Sequence, residues 1–189
     1  MRTFLAVLLA VPLLLVYTSP ATAREVAGVT LPETTGAAGK TLILNGAGLR
    51  TRFFFKVYVI GLYLEQPATD AGAVLGTDSV RRAELHTLRA LSGPEIASAI
   101  GSAFEQNAGD AATGLKDRLA RFESMFPAVE AGDTLALTYL PGRGTSVVAK
   151  GKEVGVVEGK DFADVLFSVW IGAKPVDPAL RQALLAGGR

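Results

Sequence analysis

Residues 42–65 read LILNGAGLRTRFFFKVYVIGLYLE, and this stretch decides how the chain folds. It is the longest β-like run and carries five aromatics, Phe53, Phe54, Phe55, Tyr58 and Tyr63. Val, Ile, Tyr and Phe dominate it, a composition that fits a pleated and largely buried surface. Arg50, Arg52 and Lys56 nevertheless sit inside it. A cation within such a run is costly unless it is paired or given an anionic partner. The conflict between local chemistry and burial marks a candidate site.

Working outward, the start of the chain has a separate role. Arg2 precedes the uncharged run FLAVLLAVPLLLVY, and Ala21-Thr22-Ala23 supplies an A-x-A cleavage signal. Residues 1–23 therefore read as a secretory signal peptide, leaving a domain over 24–189 and a secreted or periplasmic location. The run is short for a bilayer span and is interrupted by Pro12, so no stable membrane span is expected after cleavage. The formal charge is +1, and about zero once Arg2 is removed, which gives no electrostatic case for nucleic acid or an anionic membrane. There is no Cys and a single His, His86. Thiolate chemistry and Cys-based metal sites are thereby excluded, a lone His argues against a His-based metal site or a catalytic triad, and no cofactor is implied.

Residues 24–40 predict an extended lead-in closed by the loop TTGAAGK. Beyond the central stretch, 66–78 predicts a loop with a short helix and 80–90 a strand. Ser92-Gly-Pro-Glu95 is a capping box with Pro94 in the first turn. Ile96, Ile100 and Phe104 then predict a helix to about Asn107. A second helix restarts at Gly109-Asp110, with Leu115, Leu119, Phe122 and Phe126 on one face. Strands follow at 134–140, 145–149 and 153–157. Asp161 is expected to cap a helix through Trp170, and Asp177-Pro178 to open a last helix to Leu185. Strands, two helices, a three-stranded meander and two more helices predict an α+β layout, an antiparallel sheet with helices gathered on one face.

NGAGLR (45–50) with FKVYVIGLYLE (55–65) resembles the chalcone isomerase family, above all its secreted bacterial chalcone isomerase-like members. The likeness extends through LHTLRALS (85–92) and FSVWIGAKPVDPALRQALL (167–185). It implies an open-faced β-sandwich with a ligand cleft between sheet and helices. Asn45-Gly46 alone would signal a hairpin. The resemblance instead runs the strand through GAG and turns it near 50–53, with Gly61 marking a bend in the second strand.

Read by itself, Arg50 is a strand-end cation reaching solvent or a glutamate. The resemblance makes it the cleft Arg that contacts a ligand oxyanion or carboxylate, a task suited to a planar, permanently charged fork. Tyr58 falls where the plant enzymes carry Thr and fatty-acid-binding relatives carry Tyr. It is either a donor to the same carboxylate or a core Tyr whose hydroxyl finds a backbone partner. Ser168 lies near a hydroxyl position of the plant enzymes, and Asn107 is the one amide of interest in the helical middle. Arg52 and Lys56 read as a solvated face in preference to the cleft side, His86 and Arg89 as core or inter-element pairing, Trp170 as core and Glu95 as a cap. Between Phe104 and Leu119 there is no Tyr to match the one that, with an Asn, closes over substrate in the plant enzymes, and Asn107 is the only amide of interest there.

The expected function is therefore non-catalytic binding of an apolar, fatty-acid-like ligand with an anionic head, held by Arg50, Tyr58, Ser168 and Asn107. An intramolecular lyase of chalcone isomerase type is the alternative, with Arg50 holding the developing negative charge. A structural or partner-binding protein with a filled cleft is the third reading.

Overall fold

A computed structural model describes residues 23–188. The expected leader lies outside those residues, apart from Ala23 at its cleavage point. Nine strands and five α-helices are described. The strands are β1 (Ala23–Val26), β2 (Val29–Pro32), β3 (Thr34–Ala37), β4 (Lys40–Arg52), β5 (Phe55–Leu64), β6 (Arg81–Thr87), β7 (Thr134–Leu140), β8 (Gly144–Ala149) and β9 (Lys152–Val157). The helices are α1 (Ala71–Gly76), α2 (Gly93–Ala108), α3 (Ala112–Glu123), α4 (Lys160–Ile171) and α5 (Pro178–Leu184). Strands β3 to β9 form one antiparallel sheet in sequence order, and β1 and β2 pair only with each other. The predicted α+β architecture is the observed one. Among the described residues no helix is long and apolar enough to cross a membrane.

Strand alternation sorts the core into two layers. On β5, Ile60, Leu62 and Leu64 join the helices in the main cluster, which includes Ile100, Phe104, Phe122, Phe162 and Phe167. Val59 and Tyr63 point the other way, where Leu31 of β2 packs with Leu42 and Leu44. The lead-in at 24–40 is thus two tight hairpins turning at Ala27-Gly28 and Ala38-Gly39, and the first covers the sheet face opposite the helices.

Asn45-Gly46 is not a turn. β4 runs through it with a register shift between Leu44 and Gly46, and pairs with β5 along its length. Asn45 is fully buried and pins two distant segments: its Nδ2 donates to the carbonyls of Ala68 (2.9 Å) and Leu184 (2.7 Å), and its Oδ1 accepts from Ala68 N (2.7 Å). The shift places Gly46, Gly48 and Arg50 on the helix face. A Cβ on Gly46 would lie 2.1 Å from the Ala183 carbonyl oxygen, and one on Gly48 would lie 2.6 Å from Leu180 Cδ1. The GAG motif is therefore the seat on which α5 rests. Gly61 faces the other layer, where a Cβ would meet Tyr63, Leu44 and Leu31 at 3.0–3.2 Å.

Three local expectations need correction. The N-cap of α4 is Gly159, at φ 98°, because the Asp161 carboxylate is taken by Arg118 in two bonds of 2.7 and 2.6 Å. Phe126 lies beyond α3, which stops at Glu123 just ahead of Pro127; it still packs edge-on against Phe122, ring centroids 4.9 Å apart. The strand expected over 80–90 ends at Thr87, whose hydroxyl and amide turn to the Asp133 carbonyl.

Candidate functional site

The close seating of α5 on β4 determines what surrounds Arg50. Arg50 is two residues beyond Gly48 on the same face, so it lies beside the start of α5. There Asp177 caps the helix, its Oδ1 accepting from the amides of Ala179 (2.9 Å) and Leu180 (3.1 Å). The other carboxylate oxygen, Oδ2, lies 3.4 Å from Arg50 Nη1, and both side chains are about one-fifth exposed. Arg50 also donates to the carbonyl of Thr51.

Tyr58 stands directly across the ladder from Arg50. Its hydroxyl accepts a 2.9 Å hydrogen bond from Trp170 Nε1 on α4. An indole N–H can only donate, so this bond leaves the phenolic proton free for another acceptor. Burial pushes the phenol's pKa up, against smaller opposing effects of the Trp170 bond and the Arg50 charge. Tyr58 is therefore a neutral hydrogen-bonding group at ordinary pH.

Arg50 and Tyr58 sit at one side of a cleft of about 760 Å³. Val57, Leu85 and Leu135 of the sheet floor it, and Ile96, Ile100 and Val169 of α2 and α4 wall it. The polar groups collect at the rim: Arg52, Arg89, Glu95 and Lys174 all border the opening, with Arg89 3.7 Å from Glu95. An apolar trough with a few convergent polar groups is the form of a small-molecule site.

The structure brings Arg50 and Tyr58 together and places Ser168 and Asn107 elsewhere. Ser168 is two residues from Trp170, about 200° round the helix, and is absent from the cleft wall. Its hydroxyl donates back to the Val165 carbonyl at 2.6 Å. The Asn107 amide is fully engaged: Nδ2 donates to the carbonyls of Ala103 (2.9 Å) and Lys174 (2.8 Å), and Oδ1 accepts from Lys174 N (3.2 Å). The two meet at Gly172, where a Cβ would lie 2.6 Å from Ser168 Cβ and 2.9 Å from Asn107 Oδ1. Together they fix the α4–α5 connection that carries Lys174 to the rim.

Trp170 and Asp177 were read in the sequence as having other roles, as were the rim residues Arg52, Arg89 and Glu95. Trp170 is buried, as expected of core, but it also lines the cleft and orients Tyr58. Asp177 was legible only as a helix cap; that its second oxygen reaches Arg50 depends on the seating of α5. His86, by contrast, faces away from the cleft and pairs within its own strand, 3.1 Å from Glu84.

Three comparisons with known proteins bear on this geometry. The sequence profile of the chalcone isomerase-like family matches residues 23–186. No curated protein matches the sequence. A crystal structure of a fatty-acid binding protein of Arabidopsis thaliana superposes with a TM-score of 0.65 at 20% sequence identity, covering 85% of this chain and 93% of that one.

Proposed function

This chain belongs to the chalcone isomerase-like family, and from that premise we propose that it binds an apolar ligand with an anionic head, of fatty-acid type, without transforming it. The observation that carries the reading is the juxtaposition of Arg50 and Tyr58 at one side of an otherwise apolar cleft of about 760 Å³. That volume lies within the range of small-molecule pockets, roughly 300–1,000 Å³, and it argues against a cleft filled by core side chains. The ligand's carboxylate takes a charge-assisted bond from the guanidinium and a second from the Tyr58 hydroxyl, while its chain lies along the trough. Asp177 now occupies the anionic place beside Arg50, so a ligand carboxylate shares the guanidinium with it or displaces it. The similar Arabidopsis protein binds fatty acids, which supports the ligand class.

A binding role also suits the state of the polar groups. Tyr58 is held protonated, and Asn107 is committed to the backbone. The A-x-A signal at 21–23 supports a secreted or periplasmic protein beginning at Arg24; Met1 retained in an exported fraction would defeat that part. The ligand itself is tested by mass spectrometry of organic extracts from protein purified under native conditions. A stoichiometric fatty acid is expected. Extracts free of any amphiphile, together with no uptake of added fatty acid, would remove the proposal.

A further inference from the structure

The hairpin joining β4 to β5 extends beyond its neighbours. β5 pairs with β6 only from Tyr58 onward, and β3 pairs with β4 only up to Ile43. Thr51, Arg52, Phe55 and Lys56 therefore pair across this hairpin alone, and the turn at Phe53-Phe54 forms its projecting tip. Phe53, Phe54 and Phe55 are 85%, 100% and 64% exposed. Fully buried, an aromatic side chain covers about 150–250 Å², so the tip presents on the order of 400–500 Å² of ring surface. That is at the upper end of what a monomeric protein exposes in one patch.

Among the described residues the one ring contact at the tip is with Arg52, whose guanidinium lies 5.8 Å from the Phe53 centroid. Phe54 makes no core contact, and Phe53 holds φ 55°, a left-handed turn position that Gly or Asn fills at lower cost. The surroundings indicate what the tip meets. Arg52 and Lys56 flank the rings, and among the described residues no carboxylate forms an ion pair with either. From Lys40 to Leu64 there is no acidic residue. Two cations behind three phenylalanines match the layering of an anionic bilayer surface: rings enter the acyl boundary while the charged ends stay among the headgroups. The near-neutral net charge gives no hint of this, because the charge pattern is local.

We propose that the β4–β5 hairpin is a membrane-surface anchor that inserts Phe53, Phe54 and Phe55 into an anionic lipid bilayer. Arg50, Arg52, Val57 and Tyr58 border the cleft, so docking by this tip brings the cleft mouth to the lipid surface. The inference rests on the hairpin alone and holds whether or not a fatty acid is the cleft's ligand.

The test is co-sedimentation of the mature protein with vesicles of phosphatidylcholine, with and without phosphatidylglycerol, at low and high salt. Binding is expected with phosphatidylglycerol, weakening as salt rises. Phe54→Ser should lower the partition coefficient about tenfold, and Lys56→Glu should lower it on anionic vesicles only. Both side chains are outside the core, and an unchanged melting curve confirms that each variant folds. Failure of the wild type to sediment with either vesicle would overturn the proposal, as would equal binding by Phe54→Ser. Sedimentation velocity covers the rival occupant: a wild-type dimer made monomeric by Phe54→Ser, with no vesicle binding, would make the tip an interface between copies and end the lipid proposal.

Discussion

At the scale of single residues, Arg50 is held between two anions, one present and one proposed. In the structure it faces Asp177 at 3.4 Å, a distance that leaves the pair loose. Pairs of this partly exposed kind contribute about 0–1 kcal/mol, so a carboxylate ligand that also gains the Tyr58 hydroxyl competes well. Arg50→Ala should weaken binding of a fluorescent fatty acid by tenfold to a hundredfold, corresponding to about 1.5–3 kcal/mol for a charge-assisted contact. Tyr58→Phe should cost less, roughly 0.5–1.5 kcal/mol, since it removes one neutral donor. Arg50→Lys should recover only part of the loss, because an ammonium lacks the fork. Titration of the three variants decides the matter, and wild-type affinity in Arg50→Ala would reduce Arg50 to a surface cation. Asp177→Asn is expected to act in the opposite direction. Asn is as good an N-cap as Asp, so α5 stays capped while the competing charge is removed. Affinity for an anionic ligand should rise by up to about fivefold, whereas affinity for the matching alcohol should not change; a fall for both would mean that Asp177 serves the ligand directly.

At the scale of elements, the site depends on how closely α5 lies on β4. A methyl group on Gly46 would overlap the carbonyls of Ala183 and Leu184, at 2.1 and 2.6 Å, and backbone cannot rotate away as a side chain does. Gly46→Ala should destabilise the fold by about 1–3 kcal/mol, the usual cost of overpacking. It should also lift the end of α5, where Ala183 and Leu184 lie, and so tilt the helix whose start holds Asp177 beside Arg50. Thermal melting measures the first effect and fatty-acid titration the second; an unshifted melting temperature would show that α5 is not held as described. This dependence also explains what was legible in the sequence. Capping signals such as Ser92-x-x-Glu95 and Asp177-Pro178 are local hydrogen-bond chemistry, and they place α2 and α5 correctly. Asn45-Gly46 carries an equally local hairpin signal that tertiary packing overrides, because Asn45 is needed as a buried pin and Gly46 as a seat. Likewise, the Asp161 carboxylate had two possible uses, a cap or an ion pair. Only the position of Arg118, 43 residues away in sequence, decides between them.

At the scale of the whole molecule, the fold was far more legible than the site. Alternating strands and periodic helices are written residue by residue, so six of the sheet's seven strands and the helices follow from the sequence, while β3 lies in the segment read as the loop TTGAAGK. A cleft wall is assembled from several elements at once. Arg50 and Tyr58 share one hairpin and could be paired from sequence, whereas Trp170 and Asp177 join them only through the packing of α4 and α5. The same assembly determines what chemistry the cleft supports. Closing a chalcone phenol onto a conjugated double bond requires a phenolate or a base to generate one, a group to orient the substrate, and a cation free to hold the developing oxyanion. Tyr58 is biased by burial toward its protonated form, the Asn107 amide is bound to backbone, and Arg50 already faces Asp177. We therefore expect the purified protein to convert a chalcone to a flavanone no faster than the spontaneous reaction, with a racemic product, when absorbance and chiral chromatography are followed together. Stereospecific product that disappears in Arg50→Ala would show that the cleft is catalytic. Asp177 would then be a group that positions Arg50 for the oxyanion, not a competitor for it, and Asp177→Asn should lower turnover where it was expected to raise affinity.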